Sequence, residues 1–229
     1  MTLHRFFVTP DAMDGERFPL PVAVERQVRS VLRLGDGDRL VLLPGDGTEA
    51  LCRLEGGACV VVERRPVTGE PRHRLSVVQA LLKGDALEDV VRHATEVGVA
   101  DFRLVVTERC VAREVSPARL ERLRAIAREA AEQSERGIVP PVQAPVALRD
   151  VLDPGSVLLY ERNEGPRLAG LDAPRGVVIG PEGGFSRAEV VAAANAGMTI
   201  AGLGPRILRA QTVAVAAAAV ILSGTGDFA

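Results

Sequence analysis

The sequence predicts an α/β protein in which a parallel sheet follows a small β-rich domain. After residue 70, apolar runs of strand length alternate with helical patterns, an order typical of parallel sheets. Two glycine-rich turns, at residues 180–184 and 203–206, each follow an apolar run and precede a helical pattern. The rhythm changes at the proline- and glycine-containing segment 66–74, which sets the predicted domains at residues 1–70 and 71–229.

The first domain is predicted from short strand patterns separated by glycine turns. These strand patterns occupy residues 5–8, 39–43, 50–54 and 59–63. A helix is predicted at residues 21–34, and its spacing places Arg26, Arg29 and Arg33 near one face. Because no catalytic combination of residues is evident, we expect this domain to dock a substrate. A purely structural role is the alternative.

The second domain carries alternating strand and helix patterns. Strands are predicted at residues 75–82, 102–106, 157–161, 177–179 and 199–203. Helices are predicted at residues 85–98, 116–137, 186–197 and 210–222. Asp85 with Glu88, and Ser186 with Glu189, have the spacing of a capping box. The last helix is apolar on every face, which predicts that it is buried.

The two glycine-rich turns predict a ligand site. In parallel sheets, ligands bind beyond the carboxyl ends of the strands, where glycine lets a ligand approach backbone N–H and C=O groups. A single such turn is more often only a tight turn. The pair, with Arg206 and Arg209 at the second turn, favours a ligand site.

Composition and motifs exclude several other classes of protein. The formal net charge of -2 gives no argument for nucleic-acid binding. Nearly all of the positive charge is arginine, since Lys83 is the only lysine. The sequence has no P-loop, GxGxxG or GxSxG pattern. Its three cysteines and three histidines lack metal-ligand spacing, so we expect reduced thiols and no metal. With no apolar run of about 18 residues and no signal-peptide pattern, we expect a soluble cytoplasmic protein.

Five ordered motifs identify a family resemblance. They are KGDALE at 83–88, ATEVGV at 94–99, EQSER at 132–136, IGPEGGFS at 179–186 and LGPRILR at 203–209. Together they resemble the RsmE family, rRNA uridine-N3 methyltransferases of the SPOUT superfamily that act on 16S rRNA of the small ribosomal subunit. The resemblance covers nearly the whole chain, and five motifs in order are more specific than any one of them.

The resemblance implies an architecture and a cofactor. Residues 1–70 would form a barrel similar to PUA domains, and residues 71–229 would form a SPOUT domain whose chain end is tucked into a trefoil knot. Members of the family are homodimers that bind S-adenosylmethionine in the knot loops. Carried onto this chain, the cofactor-binding residues are Leu159, Tyr160, Ile179, Gly180, Glu182, Gly183, Gly184, Leu203, Gly204, Ile207 and Leu208.

The reaction itself requires a cation and a proton acceptor. Uracil N3 becomes a nucleophile only on losing its proton, and a nearby cation stabilises the resulting anion. We expect Arg209 to supply that cation, Arg136 to be a second one, and Glu182 to be a possible acceptor. The residues expected to contact RNA are Arg5, Arg26, Arg29, Arg33 and Lys83.

The chain departs from the family pattern at three places. His93 stands where the family commonly has a lysine, and Ala210-Gln211-Thr212 stands where it commonly has Thr-Glu-Thr. The histidine that usually precedes VLR, here at residues 31–33, is missing. A glutamine cannot act as a carboxylate base. Two alternatives therefore stay open: a SPOUT enzyme that methylates a tRNA ribose 2′-hydroxyl, and a non-catalytic RNA-binding protein with a relic cofactor pocket.

Overall fold

The chain divides into two compact units. The structure is a computed structural model, and it describes residues 3–228. The first unit comprises Met1–Glu70 with Ala131–Val139, and the second comprises Pro71–Ala130 with Pro140–Ala229. The segment 131–139, which the sequence pattern left in the second domain, therefore belongs to the first unit.

The first unit is built on a five-stranded sheet. Its strands are β1 (His4–Phe7), β2 (Arg17–Pro19), β3 (Arg39–Leu43), β4 (Thr48–Glu55) and β5 (Ala58–Pro66). The strand order is β1-β3-β4-β5-β2, with β1 parallel to β3 and the other pairs antiparallel. β1 and β2 lie at the two ends of this order.

Alternate residues of a strand point to opposite faces of a sheet, and both faces of this sheet carry buried residues. In β3, Leu40 and Leu42 join one buried cluster with Phe6. Val41 and Leu43 join a second buried cluster, which includes Ala131. The packing of Ala131 on that second face explains why residues 131–139 belong to this unit.

The helix predicted at residues 21–34 is shorter and less regular than expected. An α-helix, α1 (Val22–Arg26), continues as a π-helical turn at Gln27–Val31. Arg33 then takes a left-handed conformation with φ 57, which costs a residue with a side chain roughly 1–2 kcal/mol. Arg33 is therefore past the helix end and does not continue a face shared with Arg26.

Arg5 is held by ion pairs with two glutamates of the first unit. Its side chain is 9% exposed and forms ion pairs with Glu49 and, at 2.8 Å, with Glu135. Burial works against the charged form of Glu49, but hydrogen bonds from Arg65 and Arg5 hold the pKa of Glu49 below its usual value. Arg5 is thus occupied within the unit, which corrects the expectation that it is available to RNA phosphates.

The second unit is an α/β fold with a parallel sheet, as predicted. Its strands are β6 (Ser76–Ala80), β7 (Asp101–Val106), β8 (Val142–Ala147), β9 (Ser156–Leu159), β10 (Gly176–Ile179) and β11 (Thr199–Ala201). Its α-helices are α2 (Ala86–Val97), α3 (Pro117–Gln133), α4 (Arg187–Asn195) and α5 (Ala210–Gly224), and the end of α3 extends into the first unit. The strand order is β11-β9-β10-β6-β7-β8, and every pair is parallel. The edge strand β8 was missed because its Pro145 is typical of an edge or of no strand at all.

The two predicted capping boxes have different outcomes. The box at the start of α4 is confirmed: the Ser186 hydroxyl accepts from the Glu189 N–H, and the Glu189 carboxylate accepts from the Ser186 N–H. The box at the start of α2 is absent, because Asp85 makes no side-chain cap. Glu88 instead binds Arg119, at 2.9 Å between Oε2 and Nη2.

The C-terminal helix α5 is only partly buried. Ala214, Ala217, Ile221 and Leu222 lie in the core. Another set of apolar side chains on the same helix is half-buried: Val213, Val215, Ala216, Ala219 and Val220. Within residues 3–228, no helix has both the length and the apolar character required to cross a membrane.

Glu88→Gln tests the ion pair at the start of α2. Burial opposes the charge of Glu88, but Arg119 outweighs it, so the pKa of Glu88 lies below its ordinary value of 4.5. The stabilisation is therefore present above that value and is lost as pH falls through the folded-state pKa. We expect the variant to lose about 1–2 kcal/mol of unfolding free energy at about pH 7, and much less at about pH 3, in urea denaturation.

Glu121→Gln is the matched control for this variant. Glu121 pairs with Arg124 on the surface of α3, where both side chains are largely exposed. Its loss should change the free energy of unfolding by less than about 0.5 kcal/mol. Equal effects in the two variants, or a Glu88→Gln effect that persists in acid, would contradict a buried and stabilising pair.

Candidate active site

A cavity of about 800 Å³ lies beyond the carboxyl ends of β9, β10 and β11. Three loops form most of its wall. The lining residues are Ala86, 159–162, 180–185, 203–204, 206–211 and Val213. Ligand pockets typically have volumes of roughly 300–1,000 Å³, and in parallel sheets they open at this edge.

The turn at residues 180–184 gives the cavity a wall of backbone. The Gly184 N–H donates to the Pro181 carbonyl at 2.8 Å, which closes the turn. Gly184 has φ 66, a conformation that favours glycine. A Cβ at Gly180 would lie 3.2 Å from the Phe185 ring, so the turn packs tightly on the side chain that follows it.

Two neighbouring loops hold this turn in place. The Glu182 Oε1 accepts from the Lys83 N–H at 2.9 Å, which ties the turn to the loop before α2. The Arg109 Nη1 donates to the Gly183 carbonyl at 3.0 Å. A Cβ at Gly183 would lie 3.2 Å from the Arg109 Cβ, so this glycine is needed for the contact. One oxygen of the exposed Glu182 carboxylate is therefore engaged in structure.

Charged side chains of both signs line the cavity. Glu161 lies close to the glycine turn, because a Cβ at Gly184 would be 3.3 Å from the Glu161 Oε1. Arg206 and Arg209 line the cavity from the third loop, and within residues 3–228 neither side chain has a recorded hydrogen bond or ion pair. Arg209 is also the N-cap residue, immediately before the first residue of α5. The arrangement offers carboxylates to a cationic ligand and free guanidinium groups to an anionic one.

Comparisons with known proteins decide the family. Residues 69–222 match the family model described as an RNA methyltransferase domain. Two relatives are named ribosomal RNA small subunit methyltransferase E. The relative from Synechocystis is 33% identical, and the match covers 95% of this chain and 77% of the relative. The relative from Mycobacterium tuberculosis is 35% identical, and the match covers 86% of this chain and 81% of the relative. The chain belongs to the ribosomal RNA small subunit methyltransferase E family.

A solved structure of a methyltransferase E from Neisseria gonorrhoeae, bound to S-adenosyl methionine, has the same fold. It superposes with a TM-score of 0.87 at 27% identity, and the match covers 97% of this chain and 98% of that one. A methyltransferase from Legionella pneumophila in complex with the same cofactor gives a TM-score of 0.84 at 26% identity. Both matches extend over 98% of the neighbour's length, so they include both units.

The structure gathers the predicted cofactor-binding residues of this family member at one cavity, with one exception. All of them line it except Ile179, which is buried in β10. Glu182 and Arg209 line it as well. The predicted loops also contain the lining residues Glu161 and Arg206, and Pro181 lies within the predicted turn. The lining residues that were missed are Ala86, Arg162, Phe185, Ala210, Gln211 and Val213. Arg162 directly follows the predicted strand end at Glu161, so the strand end itself was the available signal.

Arg136 has a different environment from the one expected of a catalytic cation. It does not line the cavity, and only 3% of its side chain is exposed. Its guanidinium pairs with Glu70 at 2.9 Å, and Glu70 also accepts the backbone N–H groups of Gly137 and Ile138. Within one copy of the chain, Arg136 therefore holds the 136–138 turn, and its predicted catalytic role finds no support.

The remaining residues expected to contact RNA differ in availability. Arg29 is half-buried and donates to the Leu34 carbonyl at 3.1 Å, so it closes the turn after the first helix. Arg26 and Arg33 are exposed on the first unit. Lys83 is exposed on the second unit, in the loop whose backbone binds Glu182.

Two of the departures from the family pattern, at positions 93 and 211, line the same groove. His93 on α2 and Gln211 on α5 line a shallow depression together with Asp89, Glu96 and Val215. The family resemblance implies a lysine and a glutamate at positions 93 and 211, so two opposite charges are exchanged together for a histidine and a glutamine.

Arg136→Leu distinguishes a structural from a catalytic arginine. We expect a loss of about 3 kcal/mol in unfolding free energy, because Glu70 would keep its charge without a counter-ion. Urea denaturation measures it, with the exposed Arg187→Leu as a control that should stay within about 0.5 kcal/mol of wild type. An Arg136→Leu protein of wild-type stability that had lost RNA methylation would instead restore the catalytic role.

Proposed function

We propose that this protein transfers the methyl group of S-adenosylmethionine to N3 of a uridine in 16S rRNA of the small ribosomal subunit. The observation that carries the proposal is the three-loop cavity in a member of the methyltransferase E family. Relatives across several bacteria bear the name of small-subunit rRNA methyltransferases. Such a substrate places the enzyme in the cytoplasm, where ribosomal subunits are assembled.

The residues of the cavity fit S-adenosylmethionine. Leu159, Leu203 and Leu208 provide apolar surface for an adenosine group, and the glycine turn allows it to approach the backbone. The carboxylates of Glu161 and Glu182 favour a ligand that carries positive charge. When bound, S-adenosylmethionine supplies an electrophilic methyl group on a sulfonium sulfur.

Arg209 and a carboxylate supply what the uridine requires. The Arg209 guanidinium is exposed at the cavity without a recorded partner in residues 3–228, so it is available to stabilise the anion formed when N3 loses its proton. Glu182 is the proposed proton acceptor, since the Lys83 N–H engages Oε1 alone and leaves Oε2 available. Gln211 lines the same cavity but cannot take this role.

The first unit is proposed to dock RNA. Arg26 and Arg33 remain exposed there, and with Lys83 of the second unit they are the residues left for phosphate contacts. Such contacts are electrostatic and weaken with salt. The finer architecture, a PUA-like closed barrel in the first unit and a trefoil knot around the loops of the cavity, is proposed from the family resemblance.

Neither alternative function is favoured by a specific observation. A relic pocket without catalysis is opposed by the cavity, which keeps its glycine turn and its unpaired Arg209. Transfer to a tRNA ribose is opposed by the relatives, which are named for the small-subunit rRNA. The product of the reaction decides between them.

A methyl-transfer assay on small ribosomal subunits lacking the modification tests the function. We expect 3-methyluridine by nucleoside analysis, and we expect Arg209→Ala to lower kcat by about 100-fold while the protein still binds S-adenosylmethionine in calorimetry. Arg187→Ala, an exposed arginine at the start of α4, is the control and should keep wild-type turnover. A 2′-O-methylated product would favour the ribose alternative, and failure to bind the cofactor would overturn the proposal.

We also propose a homodimer. The half-buried face of α5 and the exposed Phe228 present apolar side chains that a second copy would cover. Light scattering should give the mass of two chains at micromolar concentration. Val220→Asp, on that face, should shift the protein towards monomer, whereas Val191→Asp, exposed on α4, should leave the mass unchanged. A monomeric wild-type protein would contradict the proposal.

A further inference from the structure

We propose that Arg167 is a positioning residue that holds the 203–208 segment of the cavity wall in its ligand-binding conformation before a ligand arrives. The inference rests on the proposed function, because it concerns the same S-adenosylmethionine cavity. Arg167 itself does not line that cavity, and no motif used above contains it.

The 203–208 segment has few internal restraints. It leaves β11 and reaches α5, and it contributes Leu203, Gly204, Arg206, Ile207 and Leu208 to the cavity. In the part of the chain that the structure describes, the one hydrogen bond recorded for this segment comes from Arg167. Ile207 is 84% exposed, so packing does not fix that part of the segment either. A segment with so few contacts has a low cost of local opening.

Arg167 is anchored beside this segment and reaches into it. The backbone of Arg167 pairs with Gly202 in an isolated parallel bridge. Gly202 donates to the Pro166 carbonyl at 3.0 Å, and Leu168 donates to the Gly202 carbonyl at 2.9 Å. From this fixed position the Arg167 Nη1 donates to the Gly204 carbonyl at 3.1 Å. The guanidinium therefore extends the backbone pairing by two residues into the cavity wall.

Gly202 makes room for this contact. A Cβ at Gly202 would lie 2.6 Å from the Arg167 Nη1, closer than real side chains approach. Gly202 does not have a positive φ, so alanine is compatible with its backbone. The substitution Gly202→Ala should accordingly displace the guanidinium from Gly204 while retaining the positive charge. The Gly202→Ala variant therefore tests the position of the Arg167 guanidinium separately from its charge.

Holding the segment in advance should strengthen cofactor binding. Without the Arg167 contact, the cofactor would have to order the 203–208 segment on binding, and this cost weakens affinity. Since this hydrogen bond is exposed to solvent, its loss should lower the affinity by about three- to tenfold, as for an ordinary hydrogen bond. The chemical step should change little, since Arg209 lies at the start of α5, where its carbonyl accepts helical hydrogen bonds.

The direct test is amide hydrogen exchange in the 203–208 segment of the free protein. We expect faster exchange in Arg167→Gln and in Gly202→Ala than in wild type, with thermal unfolding measured for each variant. Arg167→Lys should recover part of the protection, because a lysine also donates to a carbonyl. Arg175→Gln, an exposed arginine that pairs with Asp153, is the control and should leave exchange in the segment unchanged.

Binding and kinetics complete the test. Calorimetry with S-adenosylhomocysteine should show about three- to tenfold weaker binding for Arg167→Gln and Gly202→Ala, and KM for S-adenosylmethionine should rise while kcat stays within about twofold. The double variant should be no weaker than the stronger single one, since both changes break the same contact.

Two results would overturn the proposal: unchanged exchange in the segment, or a rise in KM confined to the RNA. If wild-type protein fails to bind S-adenosylmethionine, the proposed function is wrong, and the exchange measurement still decides whether Arg167 holds the segment. If Arg167→Gln does not fold, Gly202→Ala provides the same test with the guanidinium retained.

Discussion

The cavity depends on glycines at which its loops pack closely against neighbouring side chains. A Cβ at Gly183 would press on Arg109, one at Gly184 would meet Glu161, and one at Gly202 would collide with the Arg167 guanidinium. The parallel sheet delivers three loops to one edge, and glycine lets them close on each other. The rest of the second unit supports this edge: the confirmed cap of α4 places its helix directly after the glycine turn. The two solved structures that share this fold at 26–27% identity contain S-adenosyl methionine, which fits a site made largely of backbone.

Local patterns predicted most of this edge, because turns, caps and apolar runs are determined by neighbouring residues. The glycine turn and the cap at Ser186 follow from spacing alone, and both are present. The failures are long-range. Glu88 was expected to cap its own helix, but a partner 31 residues away, Arg119, binds it instead. Arg5 and Arg136 were expected to face ligands, whereas Glu49 and Glu70 pair with them inside the first unit. An arginine that contacts RNA and an arginine that pairs with a buried carboxylate cannot be distinguished in the sequence, since only the fold determines which acid lies beside each arginine.

Charge at the site is local and does not follow from the composition. The chain carries a formal net charge of -2, yet the cavity presents Arg206 and Arg209 without recorded partners among residues 3–228. Other arginines are paired with acids: Arg65 with Glu49, Arg119 with Glu88 and Arg175 with Asp153 are examples. Unpaired guanidinium groups at a cavity lose little on meeting an anion, because no existing ion pair must break. The cavity thus offers unpaired cations to an anionic ligand, and the arginine-rich composition alone could not have indicated which arginines these are.

The departure at position 211 changes which carboxylate can serve the reaction. Gln211 lines the cavity and shares a groove with His93, so the two exchanged residues lie near one another and compensate in charge. The cavity retains two carboxylates, Glu161 and Glu182. Of these, Glu182 is fixed by the Lys83 N–H, and a base held in one orientation loses less freedom on reaching its proton than a mobile one. In the proposed reaction, Arg209 stabilises the uridine anion and thereby raises the acidity of N3, so that the acceptor needs only modest basicity. The proposed mechanism therefore accommodates glutamine at 211, because its cation and its acceptor come from loops that the glycines bring together.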